Sequence, residues 1–130
     1  MNEVCEFIRK CGVYYLATVD GDQPRVRAFG TINEYEGKLY IQTGKVKDVA
    51  KQIAANPKVE LCAFDGTEWL RLSGTLVEDD RIEAQAALLD SYPELKAMYQ
   101  PGDGNNVVYY FKDAVAVISS FTAPSRTIRI

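Results

Sequence analysis

Three alternating runs closed by tight turns stand ahead of one strongly amphipathic helix, and this order constrains the fold more than any other feature. Residues 14–19 are rich in aromatic and β-branched types and end at the turn pair Asp20-Gly21. Residues 24–34 read as a second strand. Val26, Ala28, Gly30 and Ile32 share one face, and Arg25, Arg27, Phe29 and Thr31 share the other. Tyr35-Glu36-Gly37 turns the chain into a third strand over 38–43. Loops this short force antiparallel pairing, so the sheet starts as a meander. Val46, Val49, Ala50, Ile53 and Ala54 then recur at helical spacing. They predict a helix from about residue 45 to 55, stopped by Asn56-Pro57.

The remaining segments extend this pattern. Val4, Phe7, Ile8 and Cys11 mark a short helix over 3–11, ended by Gly12. A strand over 59–64 turns at Asp65-Gly66 into another over 69–77. In the latter, Trp69, Arg71, Ser73 and Thr75 face one way and Leu70, Leu72, Gly74 and Leu76 the other. Glu78, Asp79 and Asp80 suit the N-terminus of a helix running to about residue 89. Ser91-Tyr92-Pro93-Glu94 has capping-box spacing and predicts a short helix to Tyr99. Residues 101–106 form a loop, and 107–111 and 114–120 a closing hairpin across Lys112-Asp113. The alternation of 126–130 suits a strand or a docking arm. Six or so strands, mostly in hairpins with one helix inserted, predict a mainly β, antiparallel barrel with flanking helices. Strands and helices do not alternate, which disfavours a parallel sheet.

At 130 residues the expectation is a single domain, 1–130. Its 47% hydrophobic content supports a real core. The net charge of −3 argues against general nucleic-acid binding. No apolar window of about 18 residues offers a membrane span. The acidic start lacks the basic region of a signal peptide, and three cysteines without CxxC spacing argue against disulfides or zinc. A reducing cytoplasm is the expected location.

The chain contains no histidine. Histidine-based triads and histidine-ligated metals are therefore excluded within the chain, and no metal is expected. Any catalysis would draw its reactive atoms from a bound cofactor. Candidate residues for holding one cluster where the third strand meets the helix. Thr43, Gly44, Lys45 and Lys47 make a candidate anion seat, because helix starts expose unpaired N–H groups and the positive end of the dipole. The alternative is an ordinary polar helix face that also includes Lys51. Arg25 and Arg27 can grip one anion from one strand face, or stand as two solvated charges. Trp69 beside Arg71 can border a flat ligand or simply pack. Among the eight tyrosines and five phenylalanines, Tyr109, Tyr110 and Phe111 are candidates for a dimer interface or for barrel packing.

The ordered segments Tyr15-Leu16-Ala17-Thr18-Val19-Asp20-Gly21, Gln23-Pro24-Arg25-Val26-Arg27, Leu39-Tyr40-Ile41-Gln42-Thr43, Asn56-Pro57 and Trp69-Leu70-Arg71-Leu72-Ser73-Gly74 resemble the pyridoxamine 5'-phosphate oxidase-like flavoproteins. The likeness covers roughly residues 1–121 and is strongest to the small single-domain branch related to nitroimidazole-resistance (Nim) and general-stress proteins. It implies a split β-barrel of six antiparallel strands in Greek-key order, forming a homodimer with FMN in clefts at the subunit interface. It places Arg27, Ala28, Phe29 and Gly30 along the isoalloxazine ring, with the arginine reaching toward phosphate. It places Gln42 and Thr43 at the ring edge and phosphate arm, and basic residues within 44–49 at the phosphate. Trp69 and Arg71 would approach the flavin, in some members from the partner subunit. The chain departs from the oxidase proper at Asp48 and Val49, where an Arg-Lys pair is usual, so Lys45 and Lys47 would substitute. The oxidase's C-terminal substrate segment is not recognisable, and the histidine near the flavin of some Nim members is absent. Both departures argue against vitamin B6 oxidation and drug reduction. The expectation is an FMN-dependent oxidoreductase acting on a small molecule, with the catalytic residues unassigned. The alternative is a non-catalytic protein that binds flavin, or a deazaflavin, for sensing or storage.

Overall fold

The computed structural model describes residues 2–130. Helix α1 (Glu3–Cys11) is capped by Asn2, whose side chain accepts from the Cys5 N–H, and Gly12 ends it at a φ of 80°. Two hairpins follow, β1 (Tyr14–Asp20) with β2 (Gln23–Phe29) and β3 (Asn33–Tyr35) with β4 (Lys38–Gly44). Next come α2 (Asp48–Ala55), β5 (Lys58–Phe64), β6 (Trp69–Asp79) and α3 (Ile82–Ser91). A 3-10 turn (Pro93–Ala97), β7 (Asn106–Ser119) and β8 (Arg126–Arg129) complete the chain. The eight-stranded sheet is antiparallel throughout, in the order β2-β1-β5-β6-β7-β4-β3, with β8 beside the second half of β7. Its two ends, β2 and β3, do not pair, so the sheet is a split barrel and not a closed one.

The alternation seen in the sequence builds the core. Leu16, Ile41, Leu61, Leu70, Leu72, Ala116 and Ile118 join Val4 and Ile8 of α1 and Val49 and Ile53 of α2 in one buried cluster. Each Val, Leu or Ile among them contributes about 1.5–3 kcal/mol when fully buried. Helix α2 rests on both β1 and β4, strands separated by β5, β6 and β7 in the sheet order. Neighbouring strands lie about 4.8 Å apart, so one helix reaches both only because the sheet curls around the core. Residues 30–32 cross the open seam. There the Tyr14 hydroxyl donates to the Thr31 carbonyl (2.5 Å), and the Gln42 N–H donates to Thr31 Oγ1 (3.0 Å).

Five expectations are corrected. The run 24–34 is not one strand, so the opening meander is two separate hairpins. Side chains satisfy the backbone at the break: besides the Thr31 bonds, the Tyr92 hydroxyl accepts from the Ile32 N–H and donates to the Ile32 carbonyl. Residues 107–120 form no hairpin. Asp113, at a φ of 52°, and Ala114 pass opposite Gly74 as a bulge within a single long β7. The helix expected to open at Asp79-Asp80 starts at Ile82, because Asp79 ends β6 as a buried acceptor for Tyr40 and Arg81. Ser91 caps nothing. It is the last residue of α3, and its hydroxyl bonds Asn33 Oδ1. With β3 and β8 added, the strand number is eight and not six. Tyr109 and Phe111 are buried within the chain's own core, so packing explains them.

Candidate functional site

Arg27 sits opposite Leu16 in the β1–β2 ladder, and its guanidinium bends towards α2. Nη1 donates to Thr18 Oγ1 (2.7 Å) and to the Leu16 carbonyl (3.2 Å), and Nη2 donates to Gln52 Oε1 (2.5 Å). The same Gln52 oxygen accepts from the Thr18 hydroxyl (2.6 Å). Among the described residues no carboxylate forms an ion pair with Arg27. Burial and the neighbouring Arg25 charge lower its pKa, and Asp48 partly opposes them. A fixed cation with no salt bridge, tied only to neutral acceptors, keeps its charge available to an anion.

Arg27 forms part of a groove of about 1030 Å³ between the β1–β2 hairpin and α2. Arg25, Lys47 and Lys51 add positive charge to it, against Asp20 and Asp48. Arg25 is held by Asp20 at 3.1 Å, while no ion pair of Lys47 or Lys51 occurs among the described residues. A second cleft of about 400 Å³ is walled by Ala28, Phe29, Gly30 and Thr31 on one side and Gln42 and Thr43 on another. The segment Tyr92, Leu95, Met98 and Tyr99 closes its third side. Lys47 lines both spaces.

The strand-to-helix junction differs from its expected form. Helix α2 begins at Asp48, so both lysines precede its first turn. Lys47 is the extended N-cap residue, with no side-chain capping bond. Lys45 is drawn elsewhere: its N–H donates to the Asn105 carbonyl (2.7 Å) and its ammonium pairs with Glu78 (3.5 Å). Gly44 permits close packing, since a Cβ there would stand 3.0 Å from the Tyr99 hydroxyl and 3.3 Å from the Asn105 amide. Neither Gly44 nor Lys45 lines the groove or the cleft.

Trp69 and Arg71 also stand apart from both spaces. They lie on the outer face of β6, where Trp69 packs against Phe121 (ring centroids 5.1 Å) and Arg71 pairs with Glu60 (3.4 Å). Sequence reasoning missed Gln52 and the wall from Tyr92 to Tyr99. Gln52 carried a faint signal, as a polar residue directly before the buried Ile53 on an amphipathic helix. The 92–99 wall carried none, because the packing of α3 on β3 and β4 sets its place.

The family model described as pyridoxamine 5'-phosphate oxidase matches residues 1–112. The chain belongs to the pyridoxamine 5'-phosphate oxidase family. Among solved structures, a NimC/NimA family protein from Clostridium acetobutylicum is similar at 44% identity and a TM-score of 0.94, over 98% of this chain and 90% of that one. General stress protein 26 from Bacillus anthracis shares the fold at 17% identity and a TM-score of 0.70, over 99% and 100% of the two chains. A pyridoxamine 5'-phosphate oxidase-related, FMN-binding protein from Nostoc punctiforme does so at 18% identity and a TM-score of 0.63, over 97% and 90%. No curated protein matches the chain. This family member has no helix long and apolar enough to cross a membrane among its described residues. Its three cysteines are free. Burial pushes the Cys5 thiol up to about 11 and also raises Cys11 and Cys62, which disfavours their reactive thiolate forms.

Proposed function

We propose that this protein binds FMN and works as a flavin-dependent oxidoreductase on a small molecule. The observation that carries the reading is that two unlike spaces meet at Lys47: a cation-lined groove and a narrower cleft with mixed apolar and hydroxylated walls. Flavin mononucleotide has the same two parts, a dianionic phosphate and a flat ring. The donor set fits it. Arg27, Lys47 and Lys51, with Arg25, would hold the phosphate, while Ala28, Phe29 and Gly30 together with Gln42 and Thr43 would flank the ring. Gly44 and Lys45 would act by shaping the junction that presents Lys47. When bound, the flavin supplies the two-electron chemistry. This chain's residues bind it, orient it and limit access of water. The FMN-binding relative from Nostoc punctiforme supports the cofactor's identity.

We further propose a homodimer. Tyr15, Phe64 and Phe121 are largely exposed on or beside the outer sheet face near Trp69, leaving an apolar surface suited to a second copy. Trp69 and Arg71, remote from their own groove, would then reach the flavin of the partner subunit. Unpaired cysteines suit a reducing cytoplasm.

One observation favours the rival reading, non-catalytic binding of flavin or a deazaflavin. The cleft lining contains no histidine or cysteine, so proton transfer at the ring would fall to Tyr92, Tyr99, Glu94 or water. A visible spectrum of the protein after incubation with FMN and gel filtration tests the shared claim. The expected result is a yellow protein with retained flavin absorption; a colourless protein would refute it. Reduction of the bound flavin by a nicotinamide donor, followed by turnover, separates the oxidoreductase from the storage protein.

A further inference from the structure

Gln42 occupies the edge of the cleft on β4, and its side chain is anchored from behind. Nε2 donates to Asn106 Oδ1 (2.9 Å) and, more weakly, to the Thr43 carbonyl (3.3 Å). Both acceptors belong to the protein wall, which leaves Oε1 as the free end of the amide. No group donates to Oε1 among the described residues. Asn106 is 2% exposed, and its own Nδ2 has no hydrogen-bond partner. A buried donor is seldom left unpaired. Here the orphan is the counterpart of turning Oδ1 towards Gln42. Rotating both amides would trade the orphan donor for a buried, unpaired acceptor. It would set Gln42 Oε1 against the Thr43 carbonyl, oxygen facing oxygen, and would bury Asn106 Oδ1 where Nδ2 now lies. The main-chain carbonyl of Thr43 favours the present orientation of the pair.

We propose that Asn106 is a positioning residue that locks the Gln42 amide with its carbonyl oxygen towards the cleft, making position 42 a hydrogen-bond acceptor for an N–H on the edge of the bound ring. This rests on the flavin reading above and adds a selectivity rule to it. An oxidised isoalloxazine has a single N–H, at N3, so the rule separates FMN from an otherwise identical ring methylated there. Its backbone surroundings hold Asn106 itself in place. Its N–H donates to Asp103 Oδ1 (2.6 Å), and it pairs with Gly44 in the β4–β7 ladder.

The test compares binding of FMN and 3-methyl-FMN, followed by quenching of flavin fluorescence, in the wild type and in Gln42→Met, Asn106→Leu and Asn106→Asp. The expected result is that Gln42→Met and Asn106→Leu each lose about tenfold in FMN affinity, the scale of one hydrogen bond. Their affinity for 3-methyl-FMN should stay within about twofold of wild type on the same scale. The preference for the N–H ligand thus shrinks by the same tenfold. Asn106→Asp retains an acceptor for Gln42 Nε2 and keeps the preference. General damage to the site would weaken both ligands together, so the ratio isolates orientation. An unchanged ratio in Gln42→Met and Asn106→Leu overturns the proposal while leaving flavin binding intact. Should Asn106→Leu fail to fold, Gln42→Met decides alone, since it alters the cleft edge directly. A wild type that binds neither flavin overturns this proposal and the reading beneath it.

Discussion

Replacing Arg27 separates what the residue does for the fold from what it does for an anion. Its guanidinium makes hydrogen bonds to Leu16, Thr18 and Gln52, tying β2 to β1 and α2. In Arg27→Ala, Thr18 and Gln52 keep their mutual bond, so neither side chain is left without a partner. The half-exposed position lessens the loss further, and the expected cost is about 1–2 kcal/mol of stability. The effect on FMN is larger. A charged donor to phosphate contributes about 1.5–3 kcal/mol, which corresponds to a Kd weakened by about 10- to 150-fold. Arg27→Lys keeps the charge but not the fork and should fall between wild type and alanine. Urea unfolding of the flavin-free proteins measures the first quantity, and fluorescence titration with FMN the second. A folded Arg27→Ala variant that binds FMN as tightly as wild type would refute the assignment of this groove to the phosphate.

Lys47→Ala should also weaken FMN, by about three- to tenfold, because it removes an exposed charge with no fixed geometry; Lys45→Ala, whose ammonium already pairs with Glu78, should change the affinity less. Asp79 gives a pH prediction. Arg81 and the Tyr40 hydroxyl hold its carboxyl down at about 2, from an ordinary 3.8. A depressed carboxylate stabilises the fold above its unfolded pKa, and that stability drains as pH falls from about 3.8 towards about 2. Because Arg81 is exposed, the contribution is discounted to about 1–2 kcal/mol. The stability gap between wild type and Asp79→Asn should therefore be open at pH 7 and narrow below pH 4, as read by urea midpoints; a gap that widens on acidification would contradict the network. Gly74→Ala should cost about 1–3 kcal/mol in thermal or urea unfolding. Its Cβ would stand 2.9 Å from Ala114 Cβ and 3.2 Å from the Lys112 carbonyl, and backbone cannot yield cheaply. Gly44→Ala meets only side-chain ends and should cost less.

The legible parts of the chain were those governed by local periodicity. The faces of β6, the middle of the α2 stripe (Val49, Ala50 and Ile53) and the residues 3–11 helix follow from which side chains are apolar and how often they recur, and the structure keeps them, whereas Val46 precedes α2 and is exposed, as is Ala54. The misread parts were those where a distant group satisfies the backbone. Residues 30–32 look like continuing strand, yet Tyr14, Gln42 and Tyr92 claim their hydrogen bonds. Lys112-Asp113 looks like a turn, yet only Asp113 enters the left-handed region, and the chain bulges and goes straight on.

The candidate site divides along the same line. The sequence alone determined that the chain has no histidine, that Arg25 and Arg27 share a strand face, and that lysines crowd the approach to α2. It could not say which lysine faces the groove, because Lys45 and Lys47 are chemically alike and two residues apart. Tertiary structure decided that: Glu78 on β6 and Asn105 in the loop before β7 hold Lys45, while Lys47 is left at the N-cap between groove and cleft. It also brought Gln52, Tyr92 and Asn106 to the site. The reason is physical. Side-chain type and spacing are properties of the chain, but the partner that claims a charge or an amide lies on elements distant in sequence that only the pairing of strands brings together.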